Sequence, residues 1–191
     1  MSTYKVCDDS VREMAAAIMR RFDVHTDLID AKIKIDFLFA YGDRDDDNQL
    51  VGDAITHQGR KALGLCRVLP LKDRAKGAGD AEIMLNHDYW ENAPEAEQAS
   101  LLDHELTHIQ VKKKNGNVVT DDLMRPALKM RKHDVEVGWF IQVAERHGVN
   151  SQECRQSRAI ADQYGQYLWP EIAGTVGVQA GRFQRLEVVK A

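Results

Sequence analysis

Two histidines four residues apart, His104 and His108, flank a stretch that begins with Glu105. On an α-helix, positions four apart stand one turn above each other, so both imidazoles would face one point. Glu105 would lie about 100° round the same helix from His104. From there its carboxylate could reach a water on a metal held by the two histidines, the chemistry of the HExxH motif. The motif is short enough to arise by chance, so its setting must decide. The opposite side carries Leu102, Leu106 and Ile109, an apolar stripe that would seat the helix in a core. Without a metal, the same residues would be a solvent-facing pair of uncharged histidines.

A catalytic zinc takes three protein ligands and keeps one position open for water. Lys132-His133-Asp134-Val135-Glu136 supplies the candidates. Read as the start of a helix near Arg131, it places His133 and Glu136 three apart on one face. One would bind the metal and the other would orient a ligand from behind. His133 is the first choice for third ligand, Glu136 the alternative, and Asp134 follows. One Zn2+ per chain is expected, with Glu105 as general base.

The elements around these residues are legible in outline. Asp9-Ser10 followed by VREMAAAIMRRF reads as a capped helix whose Val11, Met14, Ala15, Ile18 and Phe22 share a stripe. Residues 31–41 (AKIKIDFLFAY) alternate Ile33, Ile35, Phe37 and Phe39 with polar residues, as a half-buried strand does. Two further extended segments, 61–71 and 80–86, complete a small sheet. Asn92-Ala-Pro-Glu95 has the residues of a capping box and predicts a helix that carries HExxH to about Lys112, stopping before Asn115-Gly116. Two more helices are expected, from about Arg131 to Gly148 and from Ser151 to about Leu168. The fold class is therefore α+β: a short mixed or antiparallel sheet packed on the HExxH helix, with further C-terminal helices. With no repeat or long linker, 1–191 reads as a single domain, its core at about 30–148 and a C-terminal helix and tail at 149–191.

A chain of 191 residues, 43% hydrophobic and 29% charged, can bury a sizeable core, which excludes wholesale disorder. Its formal charge is −4, which argues against a protein held on nucleic acid by bulk charge. Cys7, Cys66 and Cys154 are scattered and odd in number, which fits a reducing cytosol better than a disulfide framework. No run of about 18 apolar residues could span a bilayer, so the expected setting is cytoplasmic and away from membranes.

HELTH followed about 25 residues later by KHDVEV, after a strand, a loop and a capped helix, resembles the phage metallopeptidase family of the zincin superfamily. The layout is also similar to SprT-like (Spartan-type) zinc peptidases, and the likeness covers roughly residues 30–148. It implies a small zincin-like fold with His104, His108 and His133 as zinc ligands and Glu105 as general base. It further implies a phage- or prophage-encoded enzyme hydrolysing peptide bonds in the bacterial host cytoplasm, with a protein or peptide substrate. SprT-like proteins often add a Cys-rich zinc ribbon, which Cys154 alone cannot form, so the DNA-linked role of that group is not implied. Zincin clefts commonly pair an extended substrate with a strand edge. Residues 81–86 are the candidate edge, although a fully paired interior strand has the same sequence character. His87 or Tyr89 could assist an oxyanion.

Other constellations carry less. Asp43–Leu50 opens like a calcium-binding loop, but its sixth position is Asn48 and its twelfth Ala54, which leaves an acidic turn. Lys112, Lys113 and Lys114 with Arg125, Lys129, Arg131 and Lys132 form a basic region beside the proposed site. It could attract an acidic substrate or nucleic acid, although such a run commonly decorates a helix C-terminus. Trp139, Phe140, Tyr164, Tyr167 and Trp169 have core-like spacing. The alternative to an enzyme is a non-catalytic zincin-like module that binds a peptide or protein. Glu105 speaks for catalysis, because a pure binder needs no carboxylate there. A nucleic-acid-associated protein with a structural metal would rest on the basic run alone.

Overall fold

The computed structural model describes residues 3–133 and 141–164. The chain divides into two compact units, Met1–His133 and Asp134–Ala191. In the first, the elements run β1 (Thr3–Val6), α1 (Asp9–Arg21), α2 (Thr26–Asp30), β2 (Ile35–Tyr41), β3 (Thr56–His57), β4 (Arg60–Lys61) and β5 (Gly64–Val68). Then come α3 (Leu71–Ala75), β6 (Ala81–Asn86), α4 (His87–Asn92), α5 (Glu95–Thr107), β7 (Ile109–Val111), β8 (Lys113–Lys114), β9 (Asn117–Val118) and β10 (Leu128–Met130). The second unit contributes α6 (Ile141–His147) and α7 (Gln152–Tyr164). The architecture is α+β.

Four strands form a mixed sheet in the order β1-β2-β6-β5. β2 and β6 are parallel, while β1 and β5 run antiparallel to their neighbours. The alternation in β2 divides the core in two. Phe37 and Phe39, with Ile83 and Leu85 of β6, pack against Val11, Ala15 and Ile18 of α1 and Leu102 and Leu106 of α5. On the other face Leu38, Ala40, Met84 and Leu65 are covered by Ala54 and Ile55 from the long segment between β2 and β5.

β2 begins at Ile35, later than the alternating pattern suggests. Residues 31–34 turn out of α2 with Lys32 at φ 52°, and Lys34 bonds through its amide to the Asp80 carboxylate. The segment 61–71 yields β5 and then α3 from Leu71. Strand β6 is interior, paired on both sides, with all six residues buried. It is therefore no substrate-binding edge; among the described residues β1 and β5 are the outer strands of the sheet. Asp8, not Asp9 or Ser10, stands at the N-cap of α1 and makes no side-chain cap bond.

The capping box at Asn92 does not form either. Asn92 closes α4 by donating to the Asp88 carbonyl, and Gln98 donates to the carbonyls of Trp90 and Ala93. Helix α5 ends at Thr107 rather than near Lys112. Ile109 and Val111 pair with Met130 and Leu128 of β10, so two β-branched side chains enter the core on alternate positions. Asn115 and Gly116, at φ 52° and 81°, make the tight β8–β9 hairpin that such a pair favours.

Residues 131–133 follow β10 without helical structure, so His133 does not sit on a helix beginning near Arg131; α6 starts at Ile141. Asp134, Glu136, Trp139, Phe140, Tyr167 and Trp169 lie outside the described residues, as does the side chain of Tyr164. The acidic segment at Asp43 is a turn closed by the Asp45 carboxylate, which accepts from the amides of Asp47 and Gln49. No helix among the described residues is long and apolar enough to cross a membrane.

Candidate metal centre

Helix α5 is seated by Leu102 and Leu106, both fully buried. It is anchored from the side by His25, whose buried ring bonds Asp103 at 2.7 Å. This fixes the last turn, where His104 and His108 project together. His108 is the C-cap and keeps helical backbone angles, φ −67° and ψ −21°. The i,i+4 relation therefore survives the early end of the helix.

β10 brings the third imidazole. The Arg131 amide donates to the His108 carbonyl at 2.7 Å, and His108 Nδ1 lies 2.8 Å from the Arg131 carbonyl. A carbonyl only accepts, so Nδ1 carries the proton and Nε2 keeps a free lone pair. Two residues on, His133 sets its Nε2 3.2 Å from His104 Nε2. The three ring centroids are 4.6 to 5.1 Å apart. One ligand atom from each histidine lies within 4.8 Å of the others.

Nitrogens sharing one tetrahedral ion at 2.0–2.1 Å stand roughly 3.3 Å apart, so the 3.2 Å approach suits a common ion. The donors are also of the right kind: three imidazoles, with His104 and His133 open to solvent. Burial, and then the neighbouring imidazoles, hold His104 below the ordinary histidine range. That favours the neutral, ligating form.

Glu105, one position on from His104, packs against the sheet and is only 4% exposed. Its carboxylate lies against edge strand β5. A Cβ placed on Gly64 would come 2.6 Å from Glu105 Oε1, so a larger residue there would have to displace the Glu105 side chain. Burial pushes the carboxyl up to about 7, while the Cys66 backbone N–H, donating to it, works in the opposite direction. A carboxyl titrating near neutrality can both take and return a proton. The Cys66 thiol is pushed up to about 12, chiefly by its own burial and then by Glu105. It stands as a packed thiol rather than a nucleophile.

The sequence brought His104, Glu105, His108 and His133 into view, and the structure gathers the three histidines. It did not point to Gly64, the Cys66 amide or the Arg131 carbonyl. A glycine inside the apolar run ALGLCRV was the available signal, since glycine in a strand often marks a close approach. The other two act through backbone atoms and leave no signal. Tyr89 is placed elsewhere: its hydroxyl donates to Glu97 in the first turn of α5, about 16 Å along the helix from His108 at 1.5 Å per residue. His87 is stacked on Tyr41 and set edge-on to Phe39.

A family model described as Putative phage metallopeptidase matches residues 3–165, most of the chain. The chain belongs to that family. Neither a curated protein nor a solved structure matches it. The family carries the expectation of a metal, and the three-histidine cluster is a set that could hold one.

Proposed function

We propose that the chain is a zinc peptidase in which His104, His108 and His133 would hold the ion through Nε2 and Glu105 is the general base. The observation that carries this reading is the pairing of convergent imidazoles with a buried carboxyl at about 7 on the neighbouring residue. When bound, zinc supplies an acidified water and a Lewis acid for the peptide carbonyl. Glu105 would serve as the general base, taking up a proton from the attacking water and returning it to the leaving amine. The Cys66 amide and the tight fit at Gly64 hold the Glu105 carboxylate in place. Arg131 fixes the tautomer of His108, so that Nε2 is the ligating atom.

The enzyme is proposed as phage- or prophage-encoded and active in the bacterial cytoplasm on a protein or peptide. Glu105→Gln tests the reading. Cleavage of a protein substrate such as casein should be lost while about one zinc per chain is retained. Undiminished cleavage would remove Glu105 from the mechanism.

A further inference from the structure

Between Thr107 and His133 stand seven lysines and arginines against two aspartates, in a chain whose overall charge is −4. The positive charge is therefore concentrated on the β7–β10 region beside the histidines. It does not decorate a helix C-terminus, because α5 ends at Thr107 and Lys112 to Lys114 lie beyond β7 or in β8. The macrodipole gives no account of it.

Several of these charges are already engaged. Lys113 pairs with Asp27 of α2 at 2.6 Å. Arg125 contacts buried Asp80 at 2.8 Å, and Asp121 is taken by Arg74 at 2.6 Å. Lys112, Lys114, Lys129 and Lys132 are exposed, and no ion pair within the described residues neutralises them. The register sets Lys129 opposite Gln110, on the side away from buried Ile109, Val111 and Leu128. Lys129 is two residues from Arg131, which bonds His108, and Lys132 immediately precedes His133. β7 and β10 both pack beside β5.

We infer that this lysine surface selects an acidic polypeptide, whose glutamate or aspartate side chains lie over Lys112, Lys114 and Lys129 as the chain approaches the metal centre. This rests on the peptidase reading for the kind of ligand, though not for the charge preference itself. Cations on one side of a cleft raise the encounter rate of an oppositely charged partner and set its orientation. An acidic peptide suits the surface better than nucleic acid. The lysine set carries no aromatic side chain on which a base could stack.

The test uses the full-length, zinc-loaded Glu105→Gln chain and fluorescence anisotropy. The probes are three labelled 12-residue peptides, alternating Ala with Glu, Gln or Lys, and a 20-nucleotide single-stranded DNA. The Glu peptide should bind about tenfold more tightly than the Gln peptide at 50 mM salt, and the preference should shrink several-fold at 300 mM. Reversing Lys112, Lys114 and Lys129 to Glu should abolish the preference and leave zinc content unchanged. If that variant misfolds, Lys129→Gln and the salt titration of the parent carry the test. Equal binding of the three peptides, or a preference that survives the reversal, would overturn the inference. Tight DNA binding without a peptide preference would overturn it too and give the surface to nucleic acid. Zinc content and casein cleavage by the unaltered chain report separately on the peptidase reading.

Discussion

Replacing Glu105 by Gln should make the metal-free protein more stable above neutrality while destroying its activity. The side chain is 4% exposed, and burial raises its carboxyl from 4.5 to about 7. The folded protein therefore holds a proton that the unfolded chain has lost between those pH values. Protonation favours the folded state there, and that contribution fades as pH rises through about 7. At roughly 1.4 kcal/mol for each tenfold change in proton affinity, the rise corresponds to about 3 kcal/mol. Glutamine keeps the shape and the oxygen that accepts from Cys66 but cannot ionise. Urea unfolding in chelator at pH 5 and pH 8, wild type beside Glu105→Gln, isolates the effect because other titrating groups are common to both. The two proteins should agree within about 1 kcal/mol at pH 5, and the variant should be ahead by about 3 kcal/mol at pH 8. An equal difference at both pH values would show that the Glu105 carboxyl is not held in a desolvated site, and the account of its poise would fall.

Gly64→Ala should cut peptide hydrolysis at least tenfold with zinc retained, because the new methyl needs the space of Glu105 Oε1, 2.6 Å away; steady-state kinetics with metal analysis would show it. Asp80→Asn should cost about 1–3 kcal/mol in chemical denaturation, since it removes the carboxylate shared by buried Arg74 and Arg125 while Arg74 keeps Asp121. Leu106→Ala, at a fully buried position, should cost about 2–5 kcal/mol. His25→Ala leaves Asp103 without its partner at 2.7 Å, and the loss should be about 1–3 kcal/mol.

The parts legible in the sequence were those fixed by local spacing. His104 and His108 needed only one helical turn, and the stripe of Val11, Ala15 and Ile18 faces the core as its periodicity requires. The end of the HExxH helix was misread because Ile109-Gln-Val111-Lys continues the apolar pattern of the helix while also alternating with period two. Which pattern wins depends on β10, some 17 residues away, offering Leu128 and Met130 as partners. The same distant pairing delivers His133 from beyond the end of a strand, beside His104 and His108, where the spacing alone suggests a helix. Whether β6 is an edge or an interior strand stays open in the sequence, because β5 pairs with it only in three dimensions. Nothing in the spacing of Ala81 to Asn86 announces a second neighbour.

Zinc content by mass spectrometry of the untagged full chain, beside His133→Ala and Glu136→Ala, tests the central claim most directly. The account predicts about one zinc per chain, lost with His133→Ala and kept with Glu136→Ala. Loss with Glu136→Ala alone would replace the three-histidine site by one of two histidines and a glutamate. A chain that holds no zinc, and takes up none when it is added, would contradict the account.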